Sequence, residues 1–283
     1  MLINDLKTIV SKNPTTPPAY LRALLKERLQ YYVLQFVSTS AYSKSLLFKG
    51  GTCLRFFYDL PRLSEDLDFD VIGLEFNMSD FDQSITKHFK ETLQFKDFTT
   101  KLAGNNRTLY LKFPILYQIL PEFNNSDSPI LFLRFDVANV IGTKYQTDIS
   151  TKSTGNFAFI IRHYALPDLF AGKIAAILQR EIIDGLEKVT RTKGRDYYDL
   201  IWYLEKKTTP NWNYLEELTA QSKAQILQSL QVKIDNLDLV IIEQDLLPFF
   251  PDPNFVKSFC QNLRGLYSSY SKILLSSNTV PLV

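Results

Sequence analysis

The segment spanning residues 46–71, LLFKGGTCLRFFYDLPRLSEDLDFDV, restricts the possible folds more than any other part of the chain. A short apolar run, Leu46, Leu47 and Phe48, meets Lys49-Gly50-Gly51-Thr52, and Leu54, Phe57 and Tyr58 then recur at three- and four-residue intervals. That order reads as strand, glycine turn and short helix. Pro61 ends the helix, and Leu67, Phe69 and Val71 then alternate with Asp66, Asp68 and Asp70 in the period-two pattern of a half-buried strand with one acidic face. Strand and helix packed so closely along the chain point to a mixed α/β core.

The remaining chain fits that class. Leu21, Leu24, Leu25, Leu29, Tyr32 and Val33 place an amphipathic helix over 19–37, and a second helix is expected over 79–95. A hairpin turning at Gly104-Asn105-Asn106 leads into a strand over 108–116, and further strands are expected over 129–140 and 157–164. From Pro167 onward helical signals prevail, beginning with PDLFAGKIAAILQR. The expected architecture is therefore α/β (α+β), with a mixed-sheet core over residues 1–165 and a helical region over 166–283. A length of 283 residues agrees with about two domains or one elaborated domain.

Composition narrows the chemistry. With 45% hydrophobic and 22% charged residues, a disordered, collagen-like or fibrous chain is excluded. The formal net charge of +2 supplies no global field for nucleic acid or anionic membrane, so polyanion binding would need a local patch. Cys53 and Cys260 form no CxxC pair, and with only His88 and His163 beside them no zinc centre can be built. A divalent metal would need oxygen ligands, which favours magnesium or manganese. The start, MLINDLKTIV, is no secretory signal and no run is long enough to span a membrane, so the cytoplasm is the expected location.

Three groups of residues carry candidate chemistry. On the acidic strand, Asp66 and Asp68 share a face about 6.5 to 7 Å apart, close enough to converge on metal ions of the kind used in phosphoryl transfer. The Gly50-Gly51 turn opens a helix whose unblocked N–H groups, with Thr52 as cap, favour phosphate oxygens. Glu65, Asp66, Asp68 and Asp70 crowd negative charge that a bound cation would relieve. Each motif alone also occurs on solvated strands and in plain tight turns. Lys173 lies beside an apolar helical stripe, either reaching to water or held for an anionic ligand. Asp196 opens a helix in KGRDYYDLIWYL, where an acid also serves as a dipole partner, and Lys188, Arg191, Lys193 and Arg195 form a basic cluster before it. Asp136, in the otherwise apolar ILFLRFDVANV, would complete a carboxylate trio with Asp66 and Asp68 or face water.

KGGTCLRFFYDLPRLSEDLDFD, LFAGKIAAILQR and KGRDYYDLIWYL, in that order over about residues 48–205, resemble the nucleotidyltransferase AbiEii/AbiGii toxin family of type IV toxin–antitoxin and abortive-infection systems. The resemblance implies a polymerase-beta-like nucleotidyltransferase core in which Gly50, Gly51 and Thr52 form the nucleotide-binding turn, with glycine at 51 where many members have serine. It implies Asp66 and Asp68 as the metal pair, Asp136 as a third metal-binding and catalytic carboxylate, Lys173 as the nucleotide-phosphate lysine, and Asp196, flanked by Arg195 and Asp199, as the acid of the last motif. Ser64, in Arg62-Leu63-Ser64-Glu65-Asp66, is similar to a position that antitoxins phosphorylate in some relatives. The implied activity is magnesium- or manganese-dependent transfer of NMP from an NTP to an RNA hydroxyl, with tRNA acceptor ends among the targets of relatives and a cognate antitoxin as partner. A non-catalytic nucleotide- or RNA-binding module and a metal-dependent nuclease are the competing readings, and no membrane partner is expected.

Overall fold

The computed structural model describes residues 2–73, 76–120, 128–184, 187–190 and 192–275, the stretches 181–184 and 187–190 by backbone alone. The chain divides into two compact units, Met1–Val140 with Thr147–Tyr164, and Ile141–Gln146 with Ala165–Val283.

The first unit holds α1 (Leu2–Lys12), α2 (Pro18–Thr39), β1 (Leu46–Lys49), α3 (Gly50–Phe57), β2 (Asp66–Val71), α4 (Met78–Lys87), β3 (Thr99–Ala103), β4 (Thr108–Pro114), α5 (Leu116–Ile119), β5 (Ile130–Asn139), β6 (Thr147–Thr154) and β7 (Phe157–Tyr164). Its seven strands form one mixed sheet in the order β3-β4-β5-β2-β1-β7-β6, with β2 parallel to β5 and antiparallel to β1. Alternation decides which side chains reach the core. Leu67 and Phe69 of β2 and Leu131, Leu133, Phe135 and Val137 of β5 are buried, so Asp66, Asp68, Arg134 and Asp136 share the other face. Phe69 stacks between Phe48 at 4.7 Å and Phe135 at 4.9 Å, and Phe81 of α4 covers Phe135 at 4.5 Å. These rings lock the register across β1, β2 and β5; a slip of one residue would drive the aspartates into the core.

Several expectations are refined. The region expected to be helical over 79–95 is α4 followed by a short π-helical turn at His88–Thr92. The edge strand β6 and the helix α1 had no counterpart in the expected elements.

His163 of β7 is fully buried and stacked on Phe57 at 4.9 Å. Its Nδ1 lies 2.8 Å from the Tyr164 carbonyl, which can only accept, so Nδ1 carries the proton and Nε2 accepts from Ser150 Oγ at 2.8 Å. Burial lowers its pKa below the ordinary 6.5, and burial lowers that of His88 too. The folded state therefore binds fewer protons than the unfolded chain, so stability is full above about pH 6.5 and declines as pH falls through that value. Urea midpoints measured from pH 7.5 down to 5.5 should fall; a flat profile would show that these histidines take up protons without cost.

The second unit contains α6 (Leu166–Gln179), β8 (Glu181–Asp184), β9 (Glu187–Thr190), α7 (Gly194–Glu205), α8 (Trp212–Thr219), α9 (Lys223–Asp235), α10 (Leu239–Leu246), α11 (Pro253–Tyr270) and α12 (Lys272–Leu275). The antiparallel β8–β9 hairpin interrupts the region expected to be helical from Pro167 onward. Phe170 of α6 stacks on Tyr203 of α7 at 4.2 Å, so the two helices share an aromatic seam. A β-carbon on Gly194 would lie 2.5 Å from the Ile242 carbonyl oxygen, which is why α7 begins with glycine where it meets the α10 backbone. Among the described residues no helix is long and apolar enough to cross a membrane.

Candidate active site

In the first unit the turn from β1 into α3 is shaped by what its glycines touch. Gly50 has φ +79°, a left-handed conformation that side chains disfavour, and a β-carbon there would collide with the Asp68 carboxylate. At Gly51 a β-carbon would lie 2.5 Å from Arg62 Nη2 and 3.0 Å from Ser64 Oγ. Both glycines thus allow backbone to lie directly against polar side chains. Gly50→Ala should cost roughly 1–2 kcal/mol for the left-handed backbone and displace Asp68 as well. A thermal melt checks the cost; a variant as stable as the parent would show that the turn and the carboxylate accommodate the methyl group.

Thr52 departs from its expected role as helix cap. The capping position belongs to Lys49, which makes no side-chain cap hydrogen bond, while Thr52 is fully buried and its Oγ1 donates to the Asp66 carbonyl at 2.5 Å. Its hydroxyl ties the turn to β2. Ser64 is buried as well, and its carbonyl accepts from Gln30 Nε2 at 2.9 Å.

The acidic face of β2 divides in two. Asp70 is only 4% exposed, held by Lys49 Nζ at 2.5 Å and Tyr164 Oη at 2.6 Å, so it belongs to the scaffold. Glu65 pairs with Lys26 at 2.6 Å. Much of the charge crowding seen in the sequence is therefore answered by lysines of the chain itself. Asp66 and Asp68 remain on the face beside β5, where Asp66 pairs in register with Arg134 and Asp68 with Asp136. Neighbouring strands lie about 4.8 Å apart, which sets Asp136 beside Asp68. Asp136 Oδ1 accepts from Thr108 Oγ1 at 2.5 Å and Oδ2 meets Arg134 Nε at 2.8 Å. Burial works against the charge on Arg134, but Asp136 and then Asp66 more than offset it and hold its pKa above the ordinary arginine value.

Among the described residues no three His, Cys, Asp or Glu side chains are gathered into a ready metal cage. The donor set nevertheless suits a hard divalent cation: three carboxylates on one face, no soft ligand, and Gly50 leaving room against Asp68. A cationic guanidinium already stands among them. Arg134 and Thr108 were absent from the sequence reading. The arginine could have been found from the period of two, since it lies two residues before Asp136 on the same strand.

In the second unit Lys173 neither reaches into water nor waits alone. Its Nζ lies 2.8 Å from Asp196 Oδ1 and 2.8 Å from Asp199 Oδ2, and Arg180 Nη2 approaches Asp196 Oδ2 at 3.0 Å. Asp196 and Asp199 are three apart on α7, so both face α6. Arg195 is turned inward: its backbone N–H donates to Asp245 Oδ2 at 3.1 Å and its guanidinium lies over Phe249 at 4.5 Å. It thus contributes to packing as well as to the basic cluster. Of that cluster, Arg191 lies outside the described residues and Lys188 is described by its backbone alone.

A family model for the nucleotidyl transferase AbiEii toxin of type IV toxin–antitoxin systems matches residues 32–257, most of the chain. The chain belongs to the AbiEii family. It is accordingly a nucleotidyltransferase of a toxin family. Among solved structures it is similar to MenT4, a nucleotidyltransferase toxin of Mycobacterium tuberculosis H37Rv, with 15% identity, a TM-score of 0.56, and coverage of 96% of this chain and 90% of that one. It also matches JHP933 of Helicobacter pylori at 16% identity and a TM-score of 0.40, covering 89% of this chain and 96% of that one. The MenT4 likeness supports the mixed α/β fold of this AbiEii member. No curated protein matches the sequence.

Proposed function

We propose that this AbiEii protein moves NMP from an NTP to an RNA hydroxyl, tRNA included, in a reaction requiring magnesium or manganese, and that a cognate antitoxin restrains it in the cytoplasm. The observation that supports this best is the placement of Asp68, packed on the Gly50 turn and in register with Asp136. Asp66, Asp68 and Asp136 would hold the metal, which when bound supplies Lewis-acid polarisation of the reacting phosphoryl group. The N–H groups at the start of α3, freed of side chains at Gly50 and Gly51, would take phosphate oxygens, with Thr52 holding the turn to β2. Lys173, oriented by Asp196 and Asp199, is assigned the negative charge of the triphosphate. Asp136 would receive the proton of the RNA hydroxyl as its oxygen attacks the α-phosphorus and pyrophosphate leaves.

Ser64 fits control by charge. A phosphate there would add about −1.5 to −2 charge beside Gly51, where the triphosphate would lie, and its burial requires the segment to open first. Lys188, Arg191 and Lys193 are proposed to assist RNA docking.

Incubation with each of the four labelled NTPs, total RNA and magnesium tests the assignment. RNA that gains label while pyrophosphate accumulates supports it. RNA that becomes shorter would instead identify a nuclease, and binding of nucleotide with neither product would identify a non-catalytic module.

A further inference from the structure

We propose that Arg134 is a built-in counter-ion of the carboxylate site, competing with the divalent metal for Asp136 and so lowering the affinity of the protein for free metal. This rests on the reading of Asp66, Asp68 and Asp136 as metal ligands.

Both Asp136 oxygens are engaged: Thr108 takes Oδ1 and Arg134 takes Oδ2. A metal drawing on Oδ2 therefore meets the guanidinium as a competing, like-charged neighbour, whereas Oδ1 can stay with Thr108 and keep the carboxylate oriented. Across the strands Arg134 is in register with Asp66 of β2 and Tyr110 of β4, so one positive charge stands beside two of the three acids.

Comparison with another cation on this face, Lys49, shows which pair can exchange. Lys49, its side chain 34% exposed, holds an Asp70 side chain that is only 6% exposed and also bound by Tyr164, so the acid of that pair is closed to solvent. Arg134 and Asp136 have side chains 45% and 21% exposed, and ion pairs open to solvent are weak and readily exchanged. The same guanidinium has the planar, two-pronged geometry that suits phosphate oxygens, so an arriving nucleotide offers it another partner. Arg134 would then oppose free metal more than metal arriving with NTP.

Manganese binding to the full chain, followed by the paramagnetic resonance of free Mn²⁺ without nucleotide, tests this, together with thermal melts in EDTA and in excess Mn²⁺. Arg134→Gln should bind Mn²⁺ about three- to thirty-fold more tightly than the parent protein, as expected on removing one positive charge at close range. Arg134→Met, which keeps the packing of the stem, should do the same, and Arg134→Lys should stay near the parent. The neutral variants should melt lower in EDTA and gain more from Mn²⁺. Unchanged or weaker Mn²⁺ binding in both neutral variants overturns the proposal. Asp68→Asn separates the two levels: if it binds Mn²⁺ as the parent does, the metal-ligand reading itself fails, whereas if it loses binding while the Arg134 variants gain none, only the counter-ion role fails.

Discussion

Asp68→Asn is expected to reduce nucleotide transfer by about 10²- to 10³-fold or more while leaving the fold intact, because it removes an anionic oxygen where charge must be stabilised and keeps the shape that rests on Gly50. The fold should be kept, because asparagine has the size and shape of the aspartate it replaces. Initial rates of pyrophosphate release and a thermal melt on the same preparation separate the two effects. Retention of more than a tenth of the activity would remove Asp68 from the chemistry and take the proposed metal site with it.

Lys173→Met should destabilise the second unit, by up to about 3–5 kcal/mol, because it takes from the buried Asp196 and Asp199 a cation that each meets at 2.8 Å. Asp199 has no exposed side-chain surface and Asp196 is 8% exposed, so neither can recover its charge partner from water, although Arg180 still answers one oxygen of Asp196. Chemical denaturation measures the loss directly. Adding Asp199→Asn to Lys173→Met should return a large part of it, since the most deeply buried charge is then gone. A Lys173→Met protein as stable as the parent would show that the aspartates are held by other groups. Inactivity of a Lys173 variant has to be judged at equal folded fraction, because this lysine is a structural ion as well as the proposed partner of the triphosphate.

Where the relevant information lies between adjacent residues, the sequence was sufficient. The alternation in DLDFDV specified β2 and its acidic face, and the three- and four-residue spacing of leucines specified α2. The edge strand β6, TDISTKST, escaped because an edge exposed on much of its surface needs no regular apolar alternation. For the candidate site, the order of glycine turn, acidic strand, lysine helix and R-D-x-x-D-L segment was legible and was enough to suggest the family to which the chain belongs.

Sequence by itself determined which residue types stand on which face of each element, because helix and strand periods are local properties of the backbone. Only the tertiary structure decided the partners. Nothing local marks Asp70 as bound to Lys49 and Tyr164, Thr52 as hydrogen-bonded to β2, Asp136 as held by Thr108, or Lys173 as clasped by two aspartates of α7. Most of those pairings join residues far apart along the chain, and their geometry comes from strand register and helix packing, which bring together charges whose spacing in the sequence carries no trace of the contact.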